Sequence, residues 1–389
     1  MNKGLTKHLY RIDEVLSSLR WSIINKHVYE AIFWGIEVYE SDMLQGALEM
    51  LEHVWLTNIG FGSWFCFRLI QAIYNDGEVN CDQWLSVISA FTRTEIRDST
   101  IFHLLIRGAL TSPSWHPHFS HSSAYITISS AVSDCLRRGK LIDAWLLGRA
   151  LDPSDQWAIL TEIASDKGCH DQLEMLRIFR PNIYECLASA YVLVAIDSIT
   201  WASSQQLMDD YIPDEIQTAI RKWREETNMR KRRVLQLRDQ AILYACLRSD
   251  QSSEKEIMFN LESTLKQSPY WANILNSYMK HDKWISDIKK EEFYDAHFPQ
   301  DIPDEWSAED RAKSHGPGLG LTEGQARIKY ILHTLQCSRS LELWDSKFSP
   351  ELDCSMEWGT IYSDLLKQCF ANLKPLFPKK PVTKKFEII

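Results

Sequence analysis

Apolar residues return at spacings of three and four through most of this chain, the period of one face of an α-helix. The clearest stretch runs from Ala31 to Gly60 and its approach. Val28, Ile32, Ile36 and Tyr39 fall on one face, and Leu44, Ala47, Leu48, Leu51 and Trp55 repeat the pattern after a polar break at Ser41-Asp42. The pattern predicts two amphipathic helices joined as a hairpin that ends at Asn58-Ile59-Gly60. Further helices are predicted over 81–95, 98–110, 122–138, 140–151, 155–165, 170–179 and 182–196, with short polar breaks such as Asn75-Asp76-Gly77 and Asp166-Lys167-Gly168 between them. The longest apolar runs are Ile59 to Ile73, interrupted by Arg68, and Cys186 to Ile196, closed by Asp197. Both fall short of the roughly 20 residues that a membrane-spanning helix needs, so they read as buried helices.

The second half continues in the same period. Pro213 suits a first helical turn, and Asp214 and Glu215 complement the dipole of a long polar helix reaching to about Arg238. The phrase Ile-Pro-Asp-Glu returns at 302–305 as a second helix start, and Thr322 with Gln325 forms a capping box ahead of Ile328, Ile331, Leu332 and Leu335. An echo of the tetratricopeptide repeat at Gly139, Ala144, Leu151 and Asp152-Pro153 places its proline too early, and its period does not recur. The expected architecture is all-α: stacked helical hairpins in an irregular array, with a smaller C-terminal helical region. The expected divisions are a helical-hairpin domain over 1–205, a basic linking helix over 206–250, a C-terminal helical region over 251–373 and a flexible basic tail over 374–389.

Composition narrows this further. With 389 residues, 45% hydrophobic and 24% charged, the chain can bury two ordinary cores. Its 15 Trp, 14 Tyr and 15 Phe exclude a disordered chain, and only 15 Gly and 13 Pro leave few tight turns for an all-β fold. A net charge of −9 speaks against a surface wholly given to nucleic acid, while leaving room for a local basic strip. The nine cysteines are scattered without a CxxC pair and read as reduced thiols. The charged start, MNKGLTKHLYRIDEV, lacks the apolar core of a signal peptide. The expected location is intracellular, cytoplasmic or nuclear.

Four constellations invite chemistry, each beside a plainer reading. Arg221, Lys222, Arg224, Arg230, Lys231, Arg232, Arg233 and Arg238, with Trp223 among them, could track a phosphate backbone by releasing condensed counterions; a solvated helix paired with the protein's own carboxylates is the alternative. His116, His118 and His121 could offer imidazoles to zinc, yet their loop holds Pro113 and Pro117 and matches no recognised zinc spacing. Between 291 and 310, Glu291, Glu292, Asp295, His297, Asp301, Asp304, Glu305, Glu309 and Asp310 could hold magnesium or exchange protons if they converged, whereas helix starts want the same charges. Gly316 to Gly320 precedes a helix but follows no strand, so the dinucleotide fingerprint is not met. The P-loop, GxSxG and HExxH patterns do not occur, and no cofactor is expected.

The wording Ala31, Phe33-Trp34, Glu40, Leu48, Leu51 and Ile59-Gly60, followed in order by Tyr294-Asp295-Ala296-His297-Phe298-Pro299 and Ile302-Pro303-Asp304-Glu305, resembles the helical collar of RarA/MgsA-type clamp-loader-related proteins. In that family the collar assembles subunits around a DNA-associated ATPase, so the resemblance implies oligomerisation and a link to replication or repair. This chain has no ATPase module, and residues 61–293 have no counterpart, so ATP hydrolysis is not implied. The general style, rich in Trp, Cys and helical hairpins, is also similar to that of large-DNA-virus proteins.

The expectation from all this is a non-catalytic helical interaction or scaffold protein that meets protein partners or itself, beside DNA and not in a membrane. Exposed Trp34, Trp55 and Trp223 are its expected contact residues, since Trp and Arg dominate binding hot spots. A nucleic-acid-binding protein using the 221–238 helix and a metal-dependent enzyme using the 291–315 segment are the alternatives.

Overall fold

The computed structural model describes residues 4–95, 97–110, 128–179, 183–196, 218, 260–297 and 383–384. These are predominantly α-helical, as the hydrophobic period predicts. The helices are α1 (Ile12–Ile24), α2 (Val28–Glu40), α3 (Leu44–Val54), α4 (Trp64–Asp76), α5 (Cys81–Arg93), α6 (Thr100–Leu110), α7 (Ile128–Arg137), α8 (Leu141–Gly148), α9 (Pro153–Lys167), α10 (His170–Phe179), α11 (Ile183–Ala195), α12 (Leu261–Leu265), α13 (Pro269–Leu275) and α14 (Asp287–His297). Short strands are β1 (Glu78–Val79), β2 (Met279–Lys280), β3 (Lys283–Trp284) and β4 (Thr383–Lys384). β2 and β3 pair antiparallel, and β1 and β4 pair parallel. No described helix is long and apolar enough to cross a membrane.

Several helices stop in the same way. A left-handed residue stands at or just past the helix end, at Lys26, Asp42, Gly139 and Gly168, and the next amide bonds back five residues: His27 to Ser22, Met43 to Val38, Lys140 to Cys135, Cys169 to Ala164. This is the Schellman closure, which satisfies carbonyls that a helix end leaves open.

The described residues form two compact units. One comprises 4–47 and 260–297. Its core joins Leu5 and Leu9 to Leu261, Leu265, Trp271, Leu275 and Phe293, and the Trp271 indole donates to the Thr6 carbonyl at 2.8 Å. α1 and α2 pack on each other within this unit. The expected apolar stripe of α2 is corrected here: Ala31 to Val38 are buried without interruption, so this middle stretch of the helix is covered on every side, while Tyr29 at its start is exposed. Trp34 is therefore a fully buried core residue, edge-on to Tyr10 at 5.2 Å and to Phe33 at 4.9 Å, and does not present an exposed contact.

The other unit comprises the described residues between 48 and 196, with 383–384. α3 leads into a π-turn at Trp55–Ile59 and a 3₁₀ turn at Gly60–Ser63. Trp55 is also fully buried, ringed by Phe61 (5.5 Å), Trp64 (6.3 Å) and Phe67 (4.8 Å), with its indole donating to the Ser63 carbonyl at 3.1 Å. Gly60 is positive in φ, and a Cβ there would strike the Asp98 carbonyl, whose residue in turn donates its amide to Ile59 at 3.0 Å. Beyond this knot α7 packs on α8, and α9 packs on α10 and α11, giving the stacked hairpins that the spacing predicts.

Candidate functional site

Among the described residues, a groove able to receive another molecule lies between α4 and α5. The break at Asn75-Asp76-Gly77 that the sequence marks is here a tight reversal. Gly77 is left-handed (φ 72°) and caps α4, β1 follows at once, and Asn80 opens α5. The Asn80 side chain accepts from the Gln83 amide at 2.8 Å while the Gln83 side chain accepts from the Asn80 amide at 3.0 Å, a complete capping box. At the other end of α4 the Ser63 hydroxyl accepts from the Cys66 amide at 3.4 Å.

These local choices hold the two helices apart over a groove of about 400 Å³. Phe65, Leu69, Ala72 and Ile73 wall it from α4, and Val87 and Ala90 from α5, and Val79 of β1 lines it as well. The rim is acidic: Asp76, Glu78 and Asp82 line it and are exposed, and no cation pairs with their carboxylates among the described residues. Arg93 stands on the lining too. Ser89 also lines the groove, is 1% exposed, and its hydroxyl has no hydrogen-bond partner among the described residues. An apolar volume of this size with a few polar groups has the character of a binding site. β1 takes β4 as a parallel neighbour in the register Glu78 to Thr383 and Val79 to Lys384.

A second polar cluster is a clasp. Glu37 is fully buried on α2 and receives the His8 amide at 3.2 Å, the His8 ring Nδ1 at 2.8 Å and the Ser41 hydroxyl at 3.4 Å. Ser41 in turn accepts from the Lys7 amide at 2.9 Å. The cluster satisfies a carboxylate that burial would otherwise penalise, and so holds the N-terminal segment on α2.

The residues singled out from sequence fall as follows. Trp34 and Trp55 are core. Arg221, Lys222, Trp223, Arg224, Arg230, Lys231, Arg232 and Arg233 lie outside the described residues, as do His116, His118 and His121. Of the acidic segment, α14 carries Glu291, Glu292 and Asp295 on its exposed face, and Lys289 pairs with Glu292. His297 lies among Trp271, Phe293 and Tyr278, and burial holds its imidazole below the usual histidine range. Among the described residues no three His, Cys, Asp or Glu side chains converge as a metal site. The described cysteines, Cys66, Cys81, Cys135, Cys169 and Cys186, are free thiols. Burial pushes the Cys66 thiol up, with hydrogen bonds from Ser63 and Thr94 opposing. The α4/α5 groove was not among the sequence-level candidates; the one local signal for it was the acidic turn Asp76-Gly77-Glu78 followed by a cap. No family model, curated protein or solved structure matches the chain.

Proposed function

We propose that the protein is a non-catalytic helical interaction protein whose α4/α5 groove receives an extended segment of a protein partner. One observation supports this most directly: β1, whose Glu78 and Val79 line the apolar groove, already takes an extended segment from about 300 positions along the chain as a parallel neighbour. Strand addition supplies backbone hydrogen bonds, and the groove supplies places for alternate side chains. The acidic rim selects a segment with Lys or Arg beside its apolar residues. Set beside the collar-like wording of the sequence, such a docking role fits a scaffold associated with DNA replication or repair.

A displayed library of short random peptides, panned on the full chain, tests the reading. The expected result is enrichment of sequences that place Lys or Arg next to aromatic or branched aliphatic residues, lost when exposed Ala72 becomes Arg and weakened at least tenfold by Asp76→Lys with Asp82→Lys. Circular dichroism should stay unchanged in these surface variants. Enrichment indifferent to all three substitutions, or none at all, would overturn it.

A further inference from the structure

We infer that the α4/α5 groove reads a bipolar segment of its protein partner, with Lys or Arg at one end of a short apolar stretch and Asp or Glu at the other, the carboxylate seated at Arg93 and Ser89. The inference rests on the docking role above and adds the second charge that the partner must present and its distance from the first. Three observations carry it. The first is that the lining is polarised along α5. Asp82 stands in the first turn of that helix, just after Asp76 and Glu78, whereas Arg93 in its last turn is the one basic residue among the groove's described lining. A ligand with a cation alone would satisfy one end of the groove and leave the other unmatched.

Ser89 is the second. Asp82, Ser86, Ser89 and Arg93 follow one another at spacings of four and three, so they form one polar row along α5, and all four line the groove. The Ser86 hydroxyl donates to the Asp82 carbonyl at 2.8 Å. That of Ser89, 1% exposed, has no hydrogen-bond partner among the described residues. A buried hydroxyl left in that state costs free energy, which an acceptor brought beside it removes. One turn before the Arg93 guanidinium there is thus a donor in need of an acceptor, and a carboxylate answers both with charge-assisted hydrogen bonds. The third is length. Asp82 and Arg93 are roughly 16 Å apart along α5 at about 1.5 Å per residue. An extended segment turns alternate side chains to one face, so a cation and a carboxylate four positions apart face the groove together over roughly 13 Å. The apolar residue midway between them meets Val87 and Ala90, and the long Arg93 side chain spans what remains.

Two capped, labelled heptapeptides are the probes, Gly-Lys-Val-Ile-Val-Asp-Gly and Gly-Lys-Val-Ile-Val-Lys-Gly, read by fluorescence anisotropy on the full chain. The wild type should bind the first at least about fivefold more tightly, since attraction at Arg93 is exchanged for repulsion in the second. The order should reverse in Arg93→Glu, and the preference should vanish in Arg93→Gln, which removes the charge alone. High salt should erase the wild-type preference as well, a readout that needs no variant. Equal binding of the two probes by the wild type, or a preference that survives high salt or either Arg93 substitution, would overturn bipolar recognition while leaving groove docking intact. Binding of neither probe, or binding that Ala72→Arg leaves unchanged, would overturn the docking role and this inference with it.

Discussion

Gly148, the last residue of α8, shows how much one absent side chain decides. In the sequence it lies inside the helix expected over 140–151, after Trp145-Leu146-Leu147. In the fold its backbone is pressed against Tyr191 of α11, and a Cβ would strike the tyrosine hydroxyl and lie 3.1 Å from Gln156 Oε1. That hydroxyl donates to Gln156 at 3.3 Å, Gln156 donates to the Leu151 carbonyl at 3.1 Å, and Tyr191 meets Trp145 edge-on at 5.4 Å. Burial also raises the Tyr191 phenol well above its ordinary pKa, so it remains a donor. Gly148→Ala should therefore destabilise the protein by about 1–3 kcal/mol through overpacking. Urea unfolding measures this, and Tyr191→Phe in the same chain should recover part of the loss. The glycine is visible in sequence; the tyrosine that makes it necessary is not.

At the scale of elements, the hydrophobic period places helices well where each has one wet face. The expected 170–179 and 182–196 segments become His170–Phe179 and Ile183–Ala195, and 81–95 becomes Cys81–Arg93. α1, like α12 to α14, is an element that the sequence reading does not place, although Val15, Leu16, Leu19 and Ile23 recur at helical spacing. Ser17, Ser18, Arg20 and Ser22 break its apolar stripe in sequence, yet all four are buried. A polar residue in the pattern reads as solvent-facing unless its hydrogen-bond partner is known, as with Ser22, which donates to the Ser18 carbonyl at 2.7 Å. Caps are more legible, because their chemistry is local. Asn80→Ala breaks the capping box of α5 and should cost about 1 kcal/mol, read as a lowered thermal midpoint. The same change should loosen the reversal that holds β1 at the groove, so amide exchange is expected to quicken at Val79 and at Cys81 to Trp84.

On the scale of the whole molecule, the decisive contacts join residues that are remote in sequence. Leu5 is fully buried in a core otherwise drawn largely from 261–293, and the Thr6 carbonyl accepts the Trp271 indole. Leu5→Ala should cost about 2–5 kcal/mol by leaving a cavity. Amide exchange should accelerate through α12 to α14, while α9 to α11, in the other unit, keep their protection. Acceleration confined to residues near position 5 would contradict a shared core. The groove has the same origin: its acidic turn and cap were readable one by one, but its apolar walls come from two helix faces and its strand partner from 383–384. The sequence by itself determined the helical class, most helix positions and the stops at Gly77, Gly139 and Gly168, because period, caps and left-handed residues act within a turn or two of chain. Only the tertiary structure decided that Trp34 and Trp55 are core, that the N-terminal segment completes the 260–297 unit, and that an acidic groove lies beside β1. Burial and strand pairing depend on which surfaces meet, and loop closure over hundreds of residues leaves no local trace in the pattern.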